Sequence, residues 1–157
     1  MVNKIVRMVG MMVLALLASC RTMPPEPNLD SLYMIRAQAA QFTVDPKNPQ
    51  HYILVLSKVS PKILWIHDRP ERAGGLLSME QFSQLWQKYS ANVYPPNASL
   101  HWDEIKANTQ FAFTLFNQQY DSKQETLIYT TTLFEGLAQK PPTRRLTHVE
   151  LFVGGMR

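Results

Sequence analysis

Two stretches with period-two alternation constrain this chain more than anything else in it. In residues 110–116, Phe111, Phe113 and Leu115 share one face, and Ala112, Thr114 and Phe116 share the other. In residues 126–134, Ile128, Thr130, Thr132 and Phe134 oppose Leu127, Tyr129, Thr131 and Leu133. Side chains that alternate in this way belong to strands with one face on a core. Tyr120-Asp121-Ser122-Lys123-Gln124 between them has the composition of a hairpin loop. Further strands are expected at 52–56, 62–67 (KILWIH), 98–102 and 146–153, and at 33–42, although Arg36-Ala37-Gln38-Ala39-Ala40-Gln41 also suits a helix. Asp45-Pro46-Lys47-Asn48-Pro49 reads as a turn, Ser60-Pro61 and Gly74-Gly75 as breaks, and Asp68-Arg69-Pro70 as a stop.

One helix is expected, over about 78–89. Ser78 with Gln81 three residues on has the form of a capping box. Met79, Phe82, Leu85, Trp86 and Tyr89 fall on one face at helical spacing, a stripe better suited to core packing than to a partner groove. Pro95-Pro96 prevents its extension. The pattern therefore predicts a mainly β fold: an antiparallel sandwich or half-barrel of six to seven short strands with one inserted amphipathic helix. A length of 157 residues points to one domain, and 45% apolar with 18% charged residues is a globular composition rather than a disordered one. A single cysteine excludes an internal disulfide framework and a Cys-rich zinc site.

The N-terminus has a different character. Residues 1–7 carry Lys4 and Arg7 and no acid, residues 8–18 (MVGMMVLALLA) are apolar throughout, and small residues close the segment. These are the features of an export signal, and the apolar run is well short of the roughly 20 residues a spanning helix needs. Leu17-Ala18-Ser19-Cys20 resembles the lipobox of bacterial lipoproteins. The resemblance implies cleavage between Ser19 and Cys20 and acylation of Cys20, whose chains hold a protein on a bilayer through about 0.8 kcal/mol per buried methylene. The expected organisation is a signal peptide over 1–19, a lipidated Cys and Pro-rich tether over 20–30, and a single β-rich domain over 31–157. Three prolines among Arg21-Thr22-Met23-Pro24-Pro25-Glu26-Pro27-Asn28 favour a short stiff tether. Gram-negative lipoproteins retained in the inner membrane tend to carry Asp after the Cys. Arg21 here implies the outer membrane, inner leaflet, facing the periplasm. Without residues 1–19 the chain keeps 14 basic and 12 acidic groups. No basic run or arginine-rich helix remains, which argues against a nucleic-acid partner.

The densest motif is WIHDRPERAGGLLSMEQFSQLWQKYSANVYPPNASL, residues 65–100. Asp68, Arg69, Pro70, Arg72, Gly75, Phe82, Trp86, Pro95, Pro96, Asn97 and Ala98 match in order and spacing the pattern of a family of small exported bacterial and archaeal proteins of unknown function. The resemblance extends from the Tyr52–Leu56 strand to the Leu127–Leu133 strand and on toward Leu151-Phe152, and brings no activity with it. The chain departs from the pattern at His67, where a small polar residue is expected, and in having a lipobox. Asp68 and Glu71 beside Arg69 and Arg72 suit paired, charge-assisted hydrogen bonds. Asn97 after two prolines suits bonding to nearby backbone. The plain reading is a structural clasp between two loops flanking the helix. The sharper one is an anion or peptide-carboxylate site made by Arg69, Arg72 and Asn97.

No catalytic signature is present: there is no nucleophile elbow, phosphate loop or dinucleotide fingerprint. Asp68 and Glu71 as an acid/base pair would make a hydrolase, but carboxylates beside two arginines look like ion-pair partners. His51, His67, His101 and His148 have no metal-ligand spacing, although His67-Asp68 with His101 would be a conceivable set. No metal or cofactor is expected. The expected role is non-enzymatic: a structural or protein-binding accessory subunit of an envelope or secretion assembly, with periplasmic ligand binding second and an unrecognised hydrolase third.

Overall fold

Strands make up every element but one in the computed structural model, which describes residues 27, 30–67, 72–88, 94–103, 111–134 and 140–154. In chain order these are β1 (Leu32–Asp45), β2 (Asn48–Val59), β3 (Lys62–His67), β4 (Ala73–Ser78), α1 (Met79–Lys88), β5 (Asn97–His101), β6 (Phe111–Asp121), β7 (Thr126–Leu133) and β8 (Leu146–Val153). All pairings are antiparallel. Following them from β1 through β2, β7, β6, β5 and β8 leads back to β1. Six strands thus close into a barrel, which removes their free edges. The β3–β4 hairpin hangs from the first residues of β1, with Leu32 opposite Ile66 and Met34 opposite Leu64. β4 ends the strand order.

The alternation seen in sequence fills the interior. Leu54, Leu56, Phe113, Leu115, Leu127, Tyr129 and Leu151 are wholly buried. Phe42 meets Phe111 and Phe113 edge-on at 5.3 and 5.7 Å. α1 starts with the expected capping box: Gln81 N donates to Ser78 Oγ at 3.1 Å, and Ser78 N donates to Gln81 Oε1 at 2.9 Å. Its apolar face packs inward, Phe82 on Tyr33 and Trp86 on Tyr129, each with ring centroids 5.1 Å apart. Leu85 is partly buried against the same core, and Tyr89 lies outside the described residues.

The architecture is the mainly β, antiparallel one expected, with eight strands rather than six or seven. The additional strand is β4, because Gly74-Gly75 is not a break. Gly74 pairs with Ile66 and Gly75 with Trp65. A Cβ on Gly75 would lie 2.9 Å from the Trp65 indole nitrogen, so glycine lets the two backbones pass the ring. Residues 33–42 are strand, not helix, and β1 runs on to Asp45. The turn after it is shorter than composition suggested: Asn48 and Pro49 already belong to β2. β6 continues to Asp121 past a register shift between Phe116 and Gln119, where Asn117 takes φ 49°. β5 begins at Asn97 and ends at His101, and β7 ends at Leu133.

Three neighbouring strands exchange faces at one level of the barrel. The buried positions run Tyr33, Ile35, Ala37 and then Ala40, Phe42 in β1; Leu54, Leu56 and then Val59 in β2; Leu146 and then Val149, Leu151 in β8. Lys58 (φ 56°) and His148 (φ 49°) are left-handed at this level. The registers skip the position of Gln38 on both sides while staying in step on either side of it. Each strand therefore rotates once, together, and keeps an apolar inner face along its whole length. The rotation brings polar side chains onto the outer surface of β1, β2 and β8.

Candidate functional site

That outer surface carries a cleft of about 610 Å³. Its floor follows from register. His101 on β5 lies opposite Glu150 on β8, and Glu150 lies opposite Arg36 on β1. Arg36 Nε donates to Glu150 Oε1 at 2.9 Å. One level further along, His148 Nδ1 lies 2.7 Å from Asp103 Oδ2. Lys58 borders the same cleft, and its Nζ donates to Glu125 Oε2 at 3.2 Å. Trp102 lines one wall, edge-on to Phe111 at 6.4 Å. Its indole N–H is buried without a hydrogen-bond partner among the described residues. His101 packs edge-on against Phe152 at 5.3 Å.

The cleft presents Arg36 and Lys58 with Glu150 and Asp103, and two of its lining residues, Lys58 and His148, have left-handed backbone. Left-handed backbone at non-glycine residues is retained where the surroundings impose it, and it clusters at functional sites. His148, held at Nδ1 by a carboxylate, leaves Nε2 for an incoming group, the geometry of an oriented base. The serine that lines the cleft, Ser60, is engaged locally: its Oγ donates to the Lys62 carbonyl at 3.0 Å and accepts from Lys62 N at 3.3 Å. Among the described residues no three His, Cys, Asp or Glu side chains are placed to share a metal ion.

Of the candidate site residues of the sequence motif, Arg72 and Asn97 are described, and neither lines this cleft. Ser19, Cys20, Asp68, Arg69 and Glu71 are outside the described residues. Arg72 is exposed, immediately before β4. Asn97 opens β5, where its Oδ1 accepts from Thr114 Oγ1 at 3.4 Å and its carbonyl accepts from Gly154 N at 2.8 Å. In strand order, β8, β1 and β3 stand between β5 and β4. Asn97 therefore ties β5 to β6 and to the end of β8. His67 is buried, and His51 stacks on Phe116 at 6.1 Å. His101 and His148 come together instead. In sequence they are far apart, and the only local hint was the parallel pair His101-Trp102-Asp103 and His148-Val149-Glu150. Joining them requires the β5–β8 register.

A second cleft, of about 800 Å³, lies beside the end of α1. It is lined by side-chain amides of Gln87, Asn117 and Gln118 with Asp45 and Lys47. Gln118 Nε2 donates there to the Tyr129 hydroxyl at 2.9 Å.

No family model, curated protein or solved structure matches the chain.

Proposed function

We propose that the protein is a lipid-anchored component of the cell envelope, held through acylated Cys20 at the periplasmic face of the outer membrane. Its barrel serves as a non-enzymatic accessory subunit that binds a segment of another envelope protein in the β1–β5–β8 cleft. The anchor reading is supported by the Leu17-Ala18-Ser19-Cys20 sequence behind a basic, then apolar, leader. Among the described residues no helix is long and apolar enough to cross a membrane.

The observation that carries the binding reading is the exposure of the Arg36–Glu150 ion pair and of the His148–Asp103 contact. Arg36 and Glu150 are 64% and 40% exposed, and His148 and Asp103 are 75% and 65% exposed. Exposed pairs of this kind contribute roughly 0.2–1 kcal/mol, so an incoming chain of alternating charge can exchange them at little cost. Catalytic groups, in contrast, depend on desolvation for their strength.

The test is affinity purification of the native protein from membranes after crosslinking, alongside Arg36→Glu and the double variant Arg36→Glu/Glu150→Arg. A specific envelope protein is expected with the wild type, reduced about tenfold by Arg36→Glu, and not regained by the charge swap, which restores the internal pair but reverses both charges that the segment meets. A wild type that elutes alone under crosslinking refutes the reading.

A further inference from the structure

The β3–β4 hairpin is apolar on both faces. Its inner face, Ile63, Trp65 and Leu77, is buried in the core. On the outer face Leu76 is 62% exposed, Ile66 49% and Leu32 of the adjoining β1 42%. Register makes these contiguous: Phe152, Met34, Leu64 and Leu76 form one row across β8, β1, β3 and β4, and Leu32, Ile66 and Gly74 form the next. A strand apolar on both sides is ordinarily covered on both sides. The charged residues that border this face are Lys62 and Arg72, both exposed, and Arg36, which is paired with Glu150 in the row next to Phe152 and Met34. An exposed apolar patch of this kind, with Lys62 at its border, fits the boundary between headgroups and acyl chains.

The chain's own course places this face. Leu32 is both the first residue of β1 and part of the patch. Cys20 stands a dozen residues before it, a span of at most about 40 Å when extended. The surface at which the tether enters the domain is the surface held nearest the bilayer.

We infer that this face seats the domain on the membrane, with Leu32, Ile66 and Leu76 entering the headgroup boundary and Lys62 meeting lipid phosphates. The inference rests on the lipid-anchor reading and extends it, since it fixes which side of the barrel faces the bilayer. The charged cleft begins four residues further along β1, at Arg36, and would stand just above the membrane surface.

The test uses the full-length protein purified from membranes and reconstituted into phosphatidylethanolamine–phosphatidylglycerol vesicles. A fluorophore is placed at Leu76→Cys, or at Ser122→Cys in the β6–β7 turn as reference. Lipids brominated near the headgroup should quench position 76 at least threefold more than position 122. Ile66→Glu or Lys62→Glu should remove most of that difference. Equal quenching at the two positions overturns the inference, as does crosslinking of position 76 to its counterpart in a second copy, which would make the face a dimer interface. The mass of the N-terminal peptide reports the anchor separately. An unmodified Cys20 refutes the anchor whatever position 76 shows. An acylated Cys20 with position 76 unquenched refutes the seat and leaves the anchor standing.

Discussion

Lys58 and His148 hold left-handed backbone on either side of Gln38, and neither is glycine. A non-glycine residue there carries a steric penalty of about 1–2 kcal/mol from its Cβ. Glycine avoids that penalty but adds about 0.5–1 kcal/mol of unfolded-state entropy. Lys58→Gly is therefore expected to stabilise the protein by about 0.5 kcal/mol, whereas glycine at an ordinary strand position destabilises. Lys58→Ala, which loses the same exposed contact to Glu125, worth about 0.2–1 kcal/mol, is the reference against which this gain is read. Urea denaturation of both variants measures it, and a clear loss of stability against that reference would show that the rotation of the three strands is not strained. The rotation itself was not legible in the sequence. Ala37, Gln38, Ala39 and Ala40 carry too little contrast to reveal a change of phase, and only the common level of Val59 and Val149 exposes it.

At the scale of elements, the hairpin and helix show what sequence disclosed and what it concealed. KILWIH was legible to the residue because Pro61 precedes it and its apolar alternation is strong. The helix start was legible because a capping box is a local device, with both partners three residues apart. β4 was not, because glycine has the same composition whether it marks a turn or permits close approach, and only the position of Trp65 distinguishes them. Gly75→Ala is expected to cost about 1–3 kcal/mol through displacement of the buried indole, and Ser78→Ala about 1 kcal/mol through loss of the cap. Thermal unfolding should separate the two, with a change in tryptophan emission accompanying Gly75→Ala alone. The candidate cleft was concealed for a related reason. His101, Asp103, His148 and Glu150 form no motif along the chain and meet only through strand pairing. The conspicuous motif, Asp68 to Arg72, drew attention by its density, yet the described part of it, Arg72, borders an apolar face.

For the whole molecule, the buried phenol of Tyr129 links stability to pH. Burial pushes its pKa well above the ordinary 10.0, and the hydrogen bond from Gln118 offsets a part of that rise. Tyr120 moves the same way, through burial and the carboxylates of Glu80, Glu125 and Asp121. A pKa raised in the folded state means that the unfolded chain gives up the proton first. The contribution is complete below about pH 10 and declines as pH rises beyond it. Stability should thus be flat on the alkaline side of neutrality and fall from about pH 10 upward. Tyr129→Phe should flatten that fall, with Tyr120 sustaining the remainder, and should cost about 1 kcal/mol at neutral pH from the lost bond to Gln118. Denaturant midpoints measured on both sides of pH 10 check the sign.

The barrel closes by joining its first strand to its last: the paired residues Arg36 and Glu150 stand 114 positions apart. Such distant pairing makes closure slow relative to local hairpins. An emerging polypeptide holds β1 open along one side until β8 has been synthesised. For a protein exported as proposed, that delay keeps the nascent chain threadable, so that the topology itself postpones folding until translocation is under way.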